Sequence, residues 1–317
     1  MQSICSNVRL KIVFLVLFAF SCLSACTEVK VDFDNLPYVD DYYTLSAQEI
    51  IERANAGDPF AQIVFSGFYL WGVDGHAYDE SLAKKWIKEA CVGFDQLAQK
   101  GNMVAQHAFQ GCYAQGIVQD ADKVITYLTR SAEQGYTQSQ YDLGEIYRRN
   151  IYSMDESIKN QELSDYWYKK ALPEVIQGAN SGEVIFQLML SQMYLYGSGG
   201  LEKDIAQWEY WSGKVVESYR QEMNFNSERI FNLLPSMQLI TIYLERFDLN
   251  EKDASPLFKS YALTEWIIEK TASDSMTELM QIFRATILGK AGKSNNEKSA
   301  FEAFAQKCMK NWTEECY

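Results

Sequence analysis

Two histidines, His76 and His107, are the side chains best suited to metal or acid–base chemistry in this chain of 317 residues. His76 lies in a predicted loop and His107 on a predicted helix, and neither belongs to a metal-ligand cluster. A hydrolytic triad would need a histidine with Ser or Cys and an orienting acid, and no short motif supplies one. The glycine-rich GSGG at 197–200 lacks the Lys-Ser/Thr pair of a phosphate-binding loop. The sequence therefore predicts neither an enzyme nor a cofactor.

Four cysteines outside the N-terminal segment can form disulfides. Cys91 lies ten residues before Gly101 and Cys112 eleven after it, so a helical hairpin bent at this glycine would bring the two cysteines face to face. Two buried thiols are the alternative. In a continuous helix Cys308 and Cys316 would lie about 12 Å apart, which is too far for a bridge. They can pair only if the helix breaks between them.

Residues 1–25 are predicted to be a bacterial lipoprotein signal peptide. Positive residues precede an apolar run at 12–20, which is too short to span a membrane. The LSAC at 23–26 resembles a lipobox, which implies cleavage before Cys26 and lipid attachment to it. Thr27 stands in place of the Asp that favours inner-membrane retention, so we expect anchoring on the periplasmic side of the outer membrane. An ordinary signal peptide with an unmodified cysteine is the alternative.

Residues 26–46 are predicted to be a tether between the lipid and the folded body. They show no helical periodicity and contain Pro37. Tyr38, Tyr42 and Tyr43 leave open whether part of this tether docks on the body.

The composition favours a folded and acidic protein. A hydrophobic fraction of 47% excludes a disordered chain. The formal net charge of −13 repels nucleic-acid phosphates and anionic lipid headgroups. We therefore expect no nucleic-acid partner, and membrane contact through the N-terminal lipid only.

Four segments of the chain share one spacing of residue types. Each has a glycine, an alanine three residues before it, a glutamine five after it, a large apolar residue eight after it and a tyrosine twelve after it. The four glycines are Gly57, Gly101, Gly135 and Gly182, and the four glutamines are Gln62, Gln106, Gln140 and Gln187. Apolar residues at this spacing lie on one face of a helix. Each segment is therefore predicted to contain one helix of about three turns.

A second helix is predicted to follow each of these helices, with Asp79, Asp120 and Asp204 as N-caps in three of the four units. Longer spacing before the next glycine predicts a longer second helix in the first and third units. Neither helix of a unit can bury its apolar stripe alone, so the units must stack. The sequence thus predicts an all-α solenoid with repeats at 47–215, and either one or two degenerate repeats or a helical cap at 216–317.

This pattern resembles the Sel1-like repeat family, whose helix-turn-helix units are related to tetratricopeptide repeats, and the resemblance covers residues 54–215 clearly. It implies protein binding on the concave face of the array. Bridging of neighbouring cysteines also resembles the cysteine-rich branch of that family.

Repeat positions six and thirteen residues after the glycine are predicted to border the concave face. At these positions lie Ile63, Leu70 and Ala114, together with five residues that we take as candidate partner-binding residues: His107, Tyr141, Arg148, Leu188 and Leu195. Tyr141 and Arg148 lead this group, because Tyr and Arg are common anchors of protein interfaces.

The sequence therefore predicts a membrane-anchored, periplasmic protein-binding solenoid. Some Sel1-like lipoproteins resemble this chain in layout and neutralise secreted phospholipase effectors. The resemblance thus implies an immunity protein, and the acidic charge suits a basic effector as its partner. Two alternatives are an envelope scaffold or adaptor, and a β-lactam-binding or hydrolysing enzyme.

Overall fold

The computed structural model describes residues 42, 45–72, 74–149, 161–222, 233–249, 255–270, 274–290, 295–310 and 316. The secondary structure of these residues is helical, as the sequence predicts. The helices are α1 Ala47–Asn55, α2 Pro59–Trp71, α3 Glu80–Gln99, α4 Met103–Ala108, α5 Gln110–Ala114, α6 Ala121–Glu133, α7 Thr137–Arg149, α8 Gln161–Ser181, α9 Val184–Tyr196, α10 Ile205–Glu222, α11 Leu233–Leu249, α12 Ser255–Lys270, α13 Asp274–Lys290 and α14 Asn295–Lys310.

The repeated glycine forms the turn that joins one unit to the next. At Gly101 φ is +95°, a conformation that strains residues with a side chain. The Gly101 amide donates to the carbonyl of Ala98 at 3.1 Å, and the Asn102 amide donates to the carbonyl of Leu97 at 3.1 Å. This pair of hydrogen bonds satisfies carbonyls at the end of α3, as in a Schellman motif. The turns at the other three glycines have the same hydrogen bonds.

The repeated glutamine closes the same turn from the other side. In each unit its Nε2 donates to the carbonyl of the repeated alanine eight residues earlier. The four bonds are Gln62–Ala54 at 3.1 Å, Gln106–Ala98 at 3.0 Å, Gln140–Ala132 at 3.0 Å and Gln187–Ala179 at 3.4 Å. All four glutamines are buried. Alanine, glycine and glutamine therefore recur together because one turn requires all three.

The second helices begin and extend as predicted. Asp79, Asp120 and Asp204 each accept a hydrogen bond from a backbone amide three residues later, at 2.9, 2.9 and 3.0 Å. The second helices of the first and third units, α3 and α8, have 20 and 21 residues, against 13 for α6 in the second unit.

The first helix of the second unit differs from the expected single helix, because it divides at Phe109 into α4 and α5. The Cys112 amide donates to the Phe109 carbonyl at 3.0 Å, a three-residue spacing tighter than that of an α-helix. The two short helices together still occupy the place of the first helix in this unit.

The hairpin pattern continues past residue 215. In the third unit Ser164 Oγ on α8 donates to the Gly144 carbonyl on α7, and Ser260 Oγ on α12 donates to the Ile240 carbonyl on α11 with the same separation of 20 residues. Helices α11 and α12 thus repeat the packing of α7 and α8. Tyr243 on α11 is buried at the position that corresponds to Tyr147 on α7.

Trp71, the last residue of α2, packs against two separate cores. One is the core of the first units, which includes Phe60, Phe94 and Leu128. The other is formed by residues of α10–α13, among them Ile240 and Trp266. A residue of the first unit can contact this distant core only if the array curves back, so the solenoid is strongly curved.

The end of the expected tether is part of the folded body. Tyr42 has no exposed surface, stacks on Phe60 at 5.9 Å, and donates its hydroxyl proton to Asp58 Oδ2 at 2.5 Å. Ser46 caps α1 in a capping box with Glu49. Tyr42, whose docking the sequence left open, therefore packs on the body, and α1 begins at residue 47. Cys26, the signal peptide and the tether up to residue 41 lie outside the described residues.

Two disulfides form, each between a pair of cysteines for which the sequence left bridging open. Cys91 on α3 is bonded to Cys112 on α5, and Cys308 on α14 is bonded to Cys316 beyond that helix. The separation of the Cα atoms is 5.7 Å in the first and 5.6 Å in the second. Among the helices of the described residues, none is both long and apolar enough to cross a membrane.

Candidate protein-binding face

Single side chains connect the first helices of successive units, in the order α4, α7, α9 and α11. Three sets of polar or aromatic contacts connect them: His107 with Asp142, Arg148 with Tyr196, and Gln192 with Glu245. We call the surface that carries these contacts the first-helix face. It includes two of the five candidate residues from the sequence, His107 and Arg148.

His107 joins α4 to α7 on this face. Its Nε2 lies 2.9 Å from Asp142 Oδ2, and Gln110 Nε2 donates to the same carboxylate oxygen at 2.6 Å. The imidazole ring also packs edge-to-face on Tyr136, with 5.1 Å between ring centroids. His107 thus lies in a cluster of three polar side chains, which holds it in one orientation.

Arg148 joins α7 to α9. Its guanidinium makes hydrogen bonds to both carboxylate oxygens of Glu145, at 2.9 and 2.8 Å, and its Cζ lies 4.0 Å from the ring centroid of Tyr196. Burial disfavours the charged guanidinium, but the hydrogen bonds with Glu145 and Tyr168 outweigh burial and raise the pKa of Arg148. Arg148 is therefore a fixed cation that stacks on an aromatic ring.

Tyr196 is the exposed part of this cluster, with 47% of its surface accessible. The hydroxyl of the buried Tyr168 donates to the Glu145 carboxylate. Tyr141 packs edge-to-face on Tyr168, with 5.4 Å between the ring centroids. Burial and the nearby Glu145 raise the pKa values of both phenols. Tyr141 and Tyr168 therefore support the cluster, and Tyr196 presents it to solvent.

Further along the face, Gln192 on α9 donates to Glu245 on α11 at 3.0 Å. Burial raises the pKa of the Glu245 carboxyl above its usual value, and the hydrogen bond from Gln192 opposes that rise.

The structure separates the two predicted leucines. Leu188 is half-buried and packs against the core of α10–α13. Leu195 is only 7% exposed, so its predicted place at the accessible surface is wrong. Leu195 directly precedes Tyr196 on α9. Neighbouring residues of a helix point in different directions, so Leu195 faces the core and Tyr196 faces solvent. Sequence reasoning missed Tyr196, Asp142 and Glu145, because charge and aromatic type alone do not show which side chains contact across units.

A cleft opens beside this face, at the edge where the glycine turns lie. It has a volume of about 450 Å³ and lies between the start of α7, the end of α8 and the start of α9. Its lining includes Tyr136, which contacts His107 on the first-helix face, and the carboxylates of Glu174 and Glu183. Within the described part of the chain, no cluster of three or more His, Cys, Asp or Glu side chains could hold a metal ion.

Comparison with known proteins gives similar structures only. No family model and no curated protein matches the chain. A Sel1 repeat protein from Oxalobacter formigenes shares 24% identity over 44% of this chain and 98% of its own, with a TM-score of 0.31. A protective antigen with an SLR fold, present in uropathogenic Escherichia coli strains, shares 22% identity over 85% of this chain, with a TM-score of 0.33. This chain spans 57% of the length of that antigen.

Because these TM-scores are low, the fold is assigned from the chain itself. The recurring Ala-Gly turn, the glutamine that closes it and the stacked hairpins are all present in the described residues. The structure is therefore an all-α solenoid of Sel1-like helix-turn-helix repeats.

Proposed function

We propose that this protein is a membrane-anchored, periplasmic binding protein that holds another protein on its first-helix face. The observation that carries the proposal is the stack of Arg148 on the exposed ring of Tyr196. Tyr and Arg are enriched among the residues that dominate interface energies. Glu145 holds the guanidinium with two hydrogen bonds, so little side-chain freedom is lost when a partner covers the cluster.

Other features support the proposed location. The lipobox-like LSAC at 23–26 supports a lipid on Cys26, and a signal peptide implies export. Two disulfides suit an oxidising compartment such as the periplasm. Metabolic labelling with a palmitate analogue tests the anchor: labelling of the parent and not of Cys26→Ser is the expected result.

The net charge of −13 favours a basic partner, since opposite charge speeds association. We propose a secreted effector of the phospholipase type as that partner, which makes this chain an immunity protein. Expression of a periplasmic effector encoded beside this gene should kill cells that lack this protein and spare cells that contain it. Equal killing in both would contradict the immunity function and leave protein binding as such intact.

Site-specific photocrosslinking tests the binding face itself. A photoreactive phenylalanine at position 196 should give one discrete adduct in cells, whose mass identifies the partner. Position 210 is the matched control, because Tyr210 is 55% exposed and lies near a lysine, but on the second helix α10. The purified partner should then bind Tyr196→Ala at least about tenfold more weakly than Tyr210→Ala.

The identity of the adduct distinguishes the candidate partners. A foreign effector supports immunity, and a resident envelope protein supports the scaffold alternative. Adducts from position 210 and none from 196 would show that the first-helix face is not the binding surface.

A further inference from the structure

The cleft between α7, α8 and α9 has an apolar wall built by a close contact of helices. A Cβ on Gly178 would lie 2.1 Å from Cδ2 of Phe186, so only glycine lets this ring pack directly on α8. Ile185 and Met103 extend the apolar surface. The Met103 carbonyl accepts a hydrogen bond from Ser131 Oγ at 2.8 Å, which fixes the chain at this end of the cleft.

Two carboxylates exposed to solvent border the cleft. Glu174 and Glu183 both line it, and its lining residues include no lysine or arginine. Within the described residues, neither carboxylate forms an ion pair, whereas Asp95 pairs with Lys123 at 2.8 Å. The cleft thus combines one apolar wall with two solvent-exposed carboxylates that form no ion pair with another described residue.

Glu183 differs from the residues that follow the glycine in the first two units. There, Asp58 and Asn102 use their side chains to cap α2 and α4. Glu183 is the N-cap residue of α9, but its side chain makes no capping hydrogen bond. Its carboxylate is therefore available to a group that enters the cleft.

We propose that this cleft binds a lysine or arginine side chain of the protein partner, an inference that rests on the proposed function. The aliphatic stem of such a side chain packs on Phe186, Ile185 and Met103, and its cationic end lies between Glu174 and Glu183. The cleft thus offers an apolar surface to the aliphatic stem of a long basic side chain and carboxylates to its cationic end. The contact of Tyr136 with His107 places the cleft next to the first-helix face, so one partner covers both.

Methionine-methyl NMR tests the cleft without a protein partner, because Met103 lines it. Titration of the full chain with N-acetyl-arginine amide should shift the Met103 methyl signal in a saturable manner. N-acetyl-citrulline amide, which has the same shape without the charge, should shift it far less. The double variant Glu174→Gln/Glu183→Gln should weaken arginine binding by on the order of tenfold.

The matched control is Glu202→Gln/Glu217→Gln, which removes the same charge from exposed positions away from the cleft. This variant should bind the arginine probe as the parent does. An absent shift at Met103, an equal response to citrulline, or an equal loss in the control variant would each overturn the proposal. Because the probe is a small molecule, these outcomes are independent of whether position 196 crosslinks a protein.

Discussion

Tyr42 and Asp58 form a buried pair that joins the N-terminal segment to α2. Asp58 Oδ2 accepts from the Tyr42 hydroxyl, and its Oδ1 accepts from the amides of Phe60 and Ala61. Burial raises the pKa of the Asp58 carboxyl, and the hydrogen bond from Tyr42 opposes that rise. The phenol thus compensates part of the cost of a buried charge.

Tyr42→Phe should therefore lower the free energy of unfolding by about 1–3 kcal/mol at pH 7. The variant raises the folded-state pKa of Asp58 further above its unfolded value, so the folded variant binds a proton over a wider pH range than the parent. Its deficit should be smallest below the Asp58 pKa of the folded parent, grow as pH rises from there to the higher Asp58 pKa of the folded variant, and stay constant above that. Urea unfolding followed by tryptophan fluorescence between pH 3 and pH 7 measures this, and a deficit independent of pH would contradict it.

At the scale of single elements, the glutamine of each unit closes the turn before its own helix. Gln140→Leu should leave the buried Ala132 carbonyl without this donor and destabilise the protein by about 1–2 kcal/mol. Gln119→Leu, at an exposed position in the loop before α6, should change stability little. Thermal unfolding of both variants compares them, and equal melting temperatures would show that the glutamine has no structural part.

The Cys91–Cys112 bridge connects α3 to α5 across a turn. Its sequence separation of 21 exceeds the 8 of the Cys308–Cys316 bridge. A longer closed loop restricts the unfolded chain more. The double variant Cys91→Ser/Cys112→Ser should therefore lower the free energy of unfolding by about 3 kcal/mol, and Cys308→Ser/Cys316→Ser should lower it somewhat less. Amide hydrogen exchange should show reduced protection of the backbone amides in α3–α5 for the first variant and in α14 for the second. The reverse order of effects would contradict the entropic account.

The elements were largely predictable, because local chemistry specifies them. Asp79, Asp120 and Asp204 are capping residues by type, and the Ala-Gly-Gln spacing marks each turn. The site was less predictable. Arg148 and His107 lie on the first-helix face, and their role in partner binding stays a prediction, whereas Leu195 is buried and Tyr196 beside it is exposed. Which of two neighbouring side chains faces solvent depends on how adjacent units rotate against each other, and single-unit spacing does not encode that rotation.

At the scale of the whole molecule, Trp71 connects the core of the first units to that of α10–α13. Curvature sums small rotations over all units, so sequence spacing could not predict this contact. Trp71→Ala should remove the contact between the two cores and let the array open. Small-angle X-ray scattering would detect this opening as a larger radius of gyration. Trp86→Ala is the matched control, because Trp86 packs against the first core. An equal change in both variants would contradict a connection through Trp71.

The docking of Tyr42 also determines where mechanical load would enter the protein. If Cys26 carries the lipid, the chain between it and Tyr42 can extend at most about 58 Å, which keeps the body within that distance of the bilayer. Any pull on a bound partner would be transmitted through this short linker to the hydroxyl of Tyr42 and the carboxylate of Asp58. The start of α2, rather than either disulfide, would then be the first part of the body to bear force.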